Sequence, residues 1–196
     1  MSKSIAKTTL PVLLGSLLLT SLPAFNPTVQ AQPSPQPAPG QTAGQWVAFK
    51  SDQGGFSISM PTQPTERVQT LKTAAGDINT YLFSTTLNSG TVNYTVSYID
   101  LPKGVESMPE NLLLEAIAGG ITGDERVKVL SERTIKLDSY NGREIKVESQ
   151  NKSIVQHRAY LVKQRIYQLA VEVPATSESK LAADVERFLN SFKLLN

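Results

Sequence analysis

The feature that most constrains this chain lies near its C-terminal end, where Ser153–Val162 and residues 165–173 are rich in β-branched and aromatic residues and only Lys163 and Gln164 separate them. That spelling predicts a β-hairpin. On the second strand Tyr167, Leu169, Val171 and Val173 share one face, while Ile166 and Ala170 lie on the other among Gln168 and Glu172. A strand with apolar residues on both faces belongs in the middle of a sheet that is covered on both sides. One cover follows at once. From Ser177 the residues Leu181, Val185, Phe188, Leu189 and Phe192 recur at helical spacing, with Asp184, Glu186 and Arg187 turned elsewhere. Pro174 ends the strand, and Thr176 or Ser177 is placed to cap the helix.

The first 31 residues read as an export signal: Lys3 and Lys7 open it, an apolar run from 10 to 22 follows, and Val29, Gln30 and Ala31 form a small-residue cleavage site. The run is broken by Pro11, Gly15 and Ser16 and is short of the ~20 apolar residues of a membrane span. Residues 32–45 are Pro, Gln, Ala, Gly, Ser and Thr without charge, a composition that forms a tether. A single folded domain is expected over 46–196.

Charge narrows the partners. The chain has 19 Lys and Arg against 17 Asp and Glu, and the export segment holds two of the basic residues and none of the acidic ones, leaving 17 against 17. A neutral mature chain gives no reason to expect nucleic acid or an anionic surface as partner. Cysteine is absent, which excludes disulfides, thiol catalysis and a lipid-bearing cysteine anchor.

Further strands are expected at 46–49 and Phe56–Met60 around Asp52-Gln-Gly-Gly55, at 67–74 and 78–87 around Ala75-Gly76-Asp77, and at 92–99 after Asn88-Ser89-Gly90. In the last of these Val92, Tyr94, Val96 and Tyr98 share a face, and the more polar opposite face suggests a place toward the sheet edge. Ser107-Met-Pro-Glu110 spells a capping box, so a helix is expected to about Ala118, with Leu113, Ala116 and Ile117 on its apolar side and Gly119-Gly120 as its stop. Strands resume at Val127–Leu137 and 143–148, and Asn141-Gly142 between them is the strongest hairpin spelling in the chain.

Few residues carry chemistry. His157 is the sole histidine and shares its strand face with Val155, Ala159 and Leu161, so a structural role is expected of it. Gly119-Gly-Ile-Thr-Gly123 lacks the Gly-Lys-Ser/Thr ending of a phosphate loop and follows a helix, so helix termination is its expected use. Tyr160 and Tyr167 are expected to pack across strands. Arg143, Glu144, Lys146 and Glu148 alternate in sign, and Glu144, Lys146 and Glu148 fall on one face, which is expected to be solvated; the same face is the candidate for docking a partner. No metal or cofactor site is spelled, and no catalytic activity is expected.

Gly55-Phe56 leading into Ser57-Ile58-Ser59-Met60-Pro61, then Gly142-Arg143-Glu144, His157-Arg158, Arg165-Ile166-Tyr167-Gln168-Leu169 and the closing Phe188-Leu189-Asn190-Ser191-Phe192 carry a resemblance to the PsbP family. This family comprises the extrinsic lumenal subunits of photosystem II and their relatives. The resemblance spans about Trp46 to the end. It implies an α+β fold, an α/β/α sandwich around a mainly antiparallel sheet with helices on both faces, in agreement with the two-sided burial read from residues 165–173. It also implies a non-catalytic, protein-binding role at a photosynthetic membrane, with photosystem II or an assembly intermediate as partner, in the thylakoid lumen or periplasm. Peripheral membrane association is compatible with this. The alternative left open by the residues is a periplasmic carrier or sensor for a small ligand. A deep pocket with convergent polar groups would favour the carrier, and a flat exposed patch would favour docking.

Overall fold

The computed structural model describes residues 46–195 except 74, 75, 103, 104, 106 and 107; the expected export segment (1–31), tether (32–45), the capping Ser107 and the Ala75 turn lie outside the described residues. In chain order the elements are β1 (Val47–Ser51), β2 (Phe56–Met60), β3 (Thr65–Thr73), β4 (Gly76–Leu87), β5 (Val92–Asp100), α1 (Glu110–Thr122), β6 (Val127–Leu137), β7 (Tyr140–Ser149), β8 (Ser153–Val162), β9 (Arg165–Pro174), α2 (Glu178–Asn190) and β10 (Lys193–Leu194). Seven strands form one antiparallel sheet in the order β3-β4-β5-β9-β8-β7-β6, and β1, β2 and β10 form a small second sheet.

Strand β9 is the middle of the seven, as its two-sided apolar pattern requires. Its Tyr167, Leu169, Val171 and Val173 enter the main core with Val185, Phe188 and Leu189 of α2 and with Phe56, Ile58 and Met60 of β2. On the opposite face Ile166 joins Ala159, Leu161 and the α1 residues Leu113, Leu114 and Ile117. One helix therefore lies on each face, with the β1–β2 hairpin sharing the α2 side: an α+β sandwich of helix, antiparallel sheet and helix.

A row of tyrosines runs across the α2 side. Tyr81, Tyr98, Tyr167 and Tyr160 stand in register on β4, β5, β9 and β8, and Gly142 continues the row on β7. Tyr160 stacks on Phe192 at 6.2 Å between ring centres, and Tyr81 on Tyr98 at 4.6 Å. The expectation that these rings pack across strands holds.

The row also explains a misplaced turn. The β6–β7 reversal is made by Asp138 and Ser139, with Asp138 at φ +53°, and Asn141-Gly142 sits inside β7. Gly142 is there for lack of room: a Cβ would lie 2.5 Å from the Tyr160 ring and 2.5 Å from the Ala159 carbonyl oxygen. Gly142→Ala is accordingly expected to lower stability by about 1–3 kcal/mol, the usual range for forced overpacking, in a chemical denaturation measurement.

Both helix starts and one helix end differ from expectation. Pro109 stands at the N-cap of α1 and no side chain caps it. The helix also runs through Gly119-Gly120 to Thr122, because Ala118 and Ile121 bury against Ile145, Val147 and Val155. Burying an isoleucine is worth roughly 1.5–3 kcal/mol, which offsets most of the roughly 2 kcal/mol that two helical glycines cost. Leu113, Leu114 and Ile117 line the buried side, and Ala116 is only half-buried. Ser177 occupies the N-cap of α2 without a side-chain hydrogen bond, since a short 3-10 turn at Ala175–Ser177 leads into the helix.

Strand β5 is interior, between β4 and β9. On its α1-side face Asn93 and Thr95 are half-exposed, whereas Ser97 and Ile99 are buried. Helix α1 packs mainly over β6, β7 and β8, on the other half of that face.

Candidate functional site

Glu144, Lys146 and Glu148 do share one face of β7, but that face looks toward α2. Glu144 is only 7 % exposed. It stands opposite Arg158 on β8 and Arg133 on β6. Arg158 donates from Nε to Glu144 Oε2 at 2.6 Å, and Arg133 donates from Nε to Oε1 at 2.7 Å. Arg158 then reaches the end of α2, donating to the Leu189 carbonyl at 3.0 Å and to Asn190 Oδ1 at 2.8 Å. Burial pushes the Glu144 carboxyl up, but the hydrogen bonds and charges of Arg158 and Arg133 together outweigh it and hold the pKa below the ordinary value.

The expected solvated face is thus corrected for Glu144: a carboxylate between two guanidinium groups, one of them buried, is held inside as a clamp between sheet and helix. Lys146 pairs with Glu178 at the start of α2, and Glu148 pairs with Lys152 at 3.1 Å. Sequence reasoning missed Arg158 as a partner of Glu144. The signal was present, because the turn at 150–152 fixes a β7–β8 register that sets residues 144 and 158 opposite each other.

A second clamp holds the β1–β2 turn. Arg165 grips Asp100 through Nε at 2.6 Å and Nη2 at 2.9 Å, and donates from Nη1 to the carbonyls of Gln53 and Gly54. Tyr167 donates its hydroxyl to the same Gly54 carbonyl at 2.6 Å. Gly55, at φ +66°, lets the chain turn beneath that hydroxyl.

His157 is 2 % exposed, on the α1 side of β8, and neither of its ring nitrogens has a hydrogen-bond partner among the described residues. Burial holds its pKa down to about 4, so the ring is neutral near pH 7. The residues 119–123 end α1 and form no phosphate loop. Among the described residues no group of three or more His, Cys, Asp or Glu could hold a metal ion, and no helix is long and apolar enough to cross a membrane.

Two surface features remain. Between α2 and the sheet lies a cleft of about 130 Å³, with Ile154, Val171 and Val185 inside and the Lys146–Glu178 pair at its rim. Small-molecule sites usually enclose roughly 300–1,000 Å³, so this cleft is undersized for a carried ligand. The other feature is a patch on the α1 side of β3, β4 and β5, open around Ser84 and Thr95 and closed at its other end, where Ile78, Thr80, Ser97 and Ile99 are buried. Arg67 and Gln69 are exposed there, Leu82, Ser84, Thr95 and Ala170 are half-exposed, and β3 ends the sheet beside them.

No family model and no curated protein matches the chain by sequence. Solved structures do match by shape. The chain is similar to cyanobacterial PsbP from Synechocystis, at a TM-score of 0.52 and 9 % identity over 80 % of this chain and 96 % of that one. It also matches the Ran-binding protein Mog1p of Saccharomyces cerevisiae, with a TM-score of 0.44 and 9 % identity over 78 % of this chain and 96 % of that one. A Pseudomonas aeruginosa protein of unknown function gives 0.38 and 5 % over 73 % and 92 %. At these identities the likeness to the cyanobacterial protein establishes a PsbP-like fold and nothing finer.

Proposed function

We propose that this chain is an exported, non-catalytic module that binds another protein, in the thylakoid lumen or periplasm, and that in a photosynthetic host its partner is photosystem II or an assembly intermediate. The observation that carries the docking role is the open patch on β3, β4 and β5. It presents half-exposed Leu82, Ser84 and Thr95 beside exposed Arg67 and Gln69, with Ala170 of β9 adjoining Thr95. A mixed polar surface of that kind suits a non-obligate protein interface, which is about as apolar as ordinary surface and is wet at its rim. The PsbP-like fold and the motifs from Gly55 to Phe192 support the choice of partner.

Ser84 and Thr95 face each other across β4 and β5 near the centre of the open face. Ser84→Arg and Thr95→Arg would fill that centre with two long charged side chains. The double variant is expected to unfold at the same denaturant concentration as the parent while losing at least tenfold in its association with native membrane complexes, read by co-sedimentation. Undiminished association would remove the face from the account.

A further inference from the structure

We propose that α1 is an acid-released cover: protonation of His157 frees the helix from the sheet and bares apolar residues of β7 and β8 beneath it. The argument begins with position. His157 lies opposite Ile145 on β7 and Ala170 on β9, with Val155 and Ala159 on either side along its own strand. Val155 belongs to the apolar group around Ile121, and Ala159 belongs to the group around Leu113 and Ile117. The imidazole therefore sits where the two halves of the helix–sheet contact meet. Gln168, on the next strand and the same face, is buried too, and its Nε2 also lacks a partner among the described residues.

Among the described residues no charge offers relief to His157. The acids of α1, Glu110 and Glu115, are exposed, and its buried residues are all apolar. On the same sheet face, Arg143 of β7 is engaged with Glu132 of β6 at 3.8 Å, and Glu172 of β9 accepts from Asn93 at 3.2 Å. Burial alone accounts for the depressed basicity of the ring. A proton on it thus creates an unpaired buried cation, which a protein interior tolerates poorly.

Relief comes from the weaker side. Strand β8 is hydrogen-bonded along its length to β7 and β9, whereas α1 has no side-chain cap and contains two consecutive glycines. Opening at α1 hydrates the imidazole without breaking the sheet. It also uncovers Ile145, Val147 and Val155, and it takes Leu113, Leu114 and Ile117 away from Ala159, Leu161 and Ile166, which Leu101 and Val105 still share.

The sign follows from linkage. The docked ring titrates near 4 and the released ring at its ordinary 6.5, so both are neutral above pH 6.5 and the docked state loses ground as pH falls from 6.5 toward 4. At pH 5.0 those two values shift the docking equilibrium by about 30-fold toward release, relative to pH 7.5. Hydrogen–deuterium exchange of the full chain reads this directly, with protection factors corrected for intrinsic rates. Amides of α1 are expected to lose roughly that factor between pH 7.5 and 5.0 while those of α2 keep their protection, and His157→Leu is expected to abolish the loss. Equal loss in α1 and α2, or a loss that persists in the variant, would overturn the proposal. If the variant does not fold, the parent decides the matter: loss of α1 protection that tracks the titration of this sole histidine's ring protons supports the proposal, and a ring that titrates near 6.5 while α1 stays protected overturns it.

Discussion

Glu144→Ala is expected to destabilise the domain by about 3–5 kcal/mol, the largest effect of any single polar substitution considered for this chain. The magnitude comes from what is left behind. With the carboxylate gone, Arg158 keeps its bonds to the Leu189 carbonyl and Asn190, but its charge is buried with only the long 3.8 Å approach of Glu186 to balance it. Arg133 loses little, since most of its side chain is in water. A buried pair is costly to break and cheap to replace, so Glu144→Leu combined with Arg158→Met should recover most of the loss. The carboxyl is also more acidic in the folded chain than in the unfolded one, so its contribution is full above the ordinary carboxylate pKa and fades as pH falls through that range. Chemical denaturation at pH 7 measures the first effect. A loss below about 1 kcal/mol would mean that the carboxylate is solvated after all.

Phe188→Ala is expected to cost about 3–5 kcal/mol as well, for a different reason. Phe188 is fully buried on α2 and meets the Tyr94 ring edge-on at 5.3 Å. Removing it opens a cavity where the helix, the sheet and β2 converge, and rigid neighbours in register across the sheet cannot collapse into the gap. Trp46 reinforces this corner, packing edge-on to Tyr94 at 5.7 Å beneath the Arg187 guanidinium at 4.7 Å. A loss under about 1 kcal/mol would place Phe188 outside the core.

The parts of the fold legible in the sequence were those where one residue pattern admits one environment. The alternation on β9 required a central strand, and α2 showed its buried side through Val185, Phe188 and Leu189. Phe192 belonged to the same core but lies beyond the helix end, at the approach to β10. The misread places were those where a distant neighbour decides. Asn141-Gly142 has the composition of a hairpin turn, yet Tyr160 claims the glycine for a strand. Gly119-Gly120 looks like a stop, yet Ile121 finds a pocket one turn on. The polar side of β5 suggested an edge, yet the strand is interior and Ser97 on that side is buried. At the candidate site, the common face of Glu144, Lys146 and Glu148 could be read from alternation, but the direction of that face could not. Which side of β7 meets α2 is set by the burial of Ile145 and Val147 against α1, a contact between segments far apart in the chain.

The docking role rests on one surface, and site-resolved photo-crosslinking in the native host tests that surface most directly. A photoreactive residue placed at Ser84 or Gln69, on the open face, is expected to form adducts with one membrane-associated protein complex, while the same residue at Lys180, exposed on α2, forms none. Adducts from Lys180 with none from Ser84 or Gln69 would contradict the account and move the interface to the opposite side of the sheet.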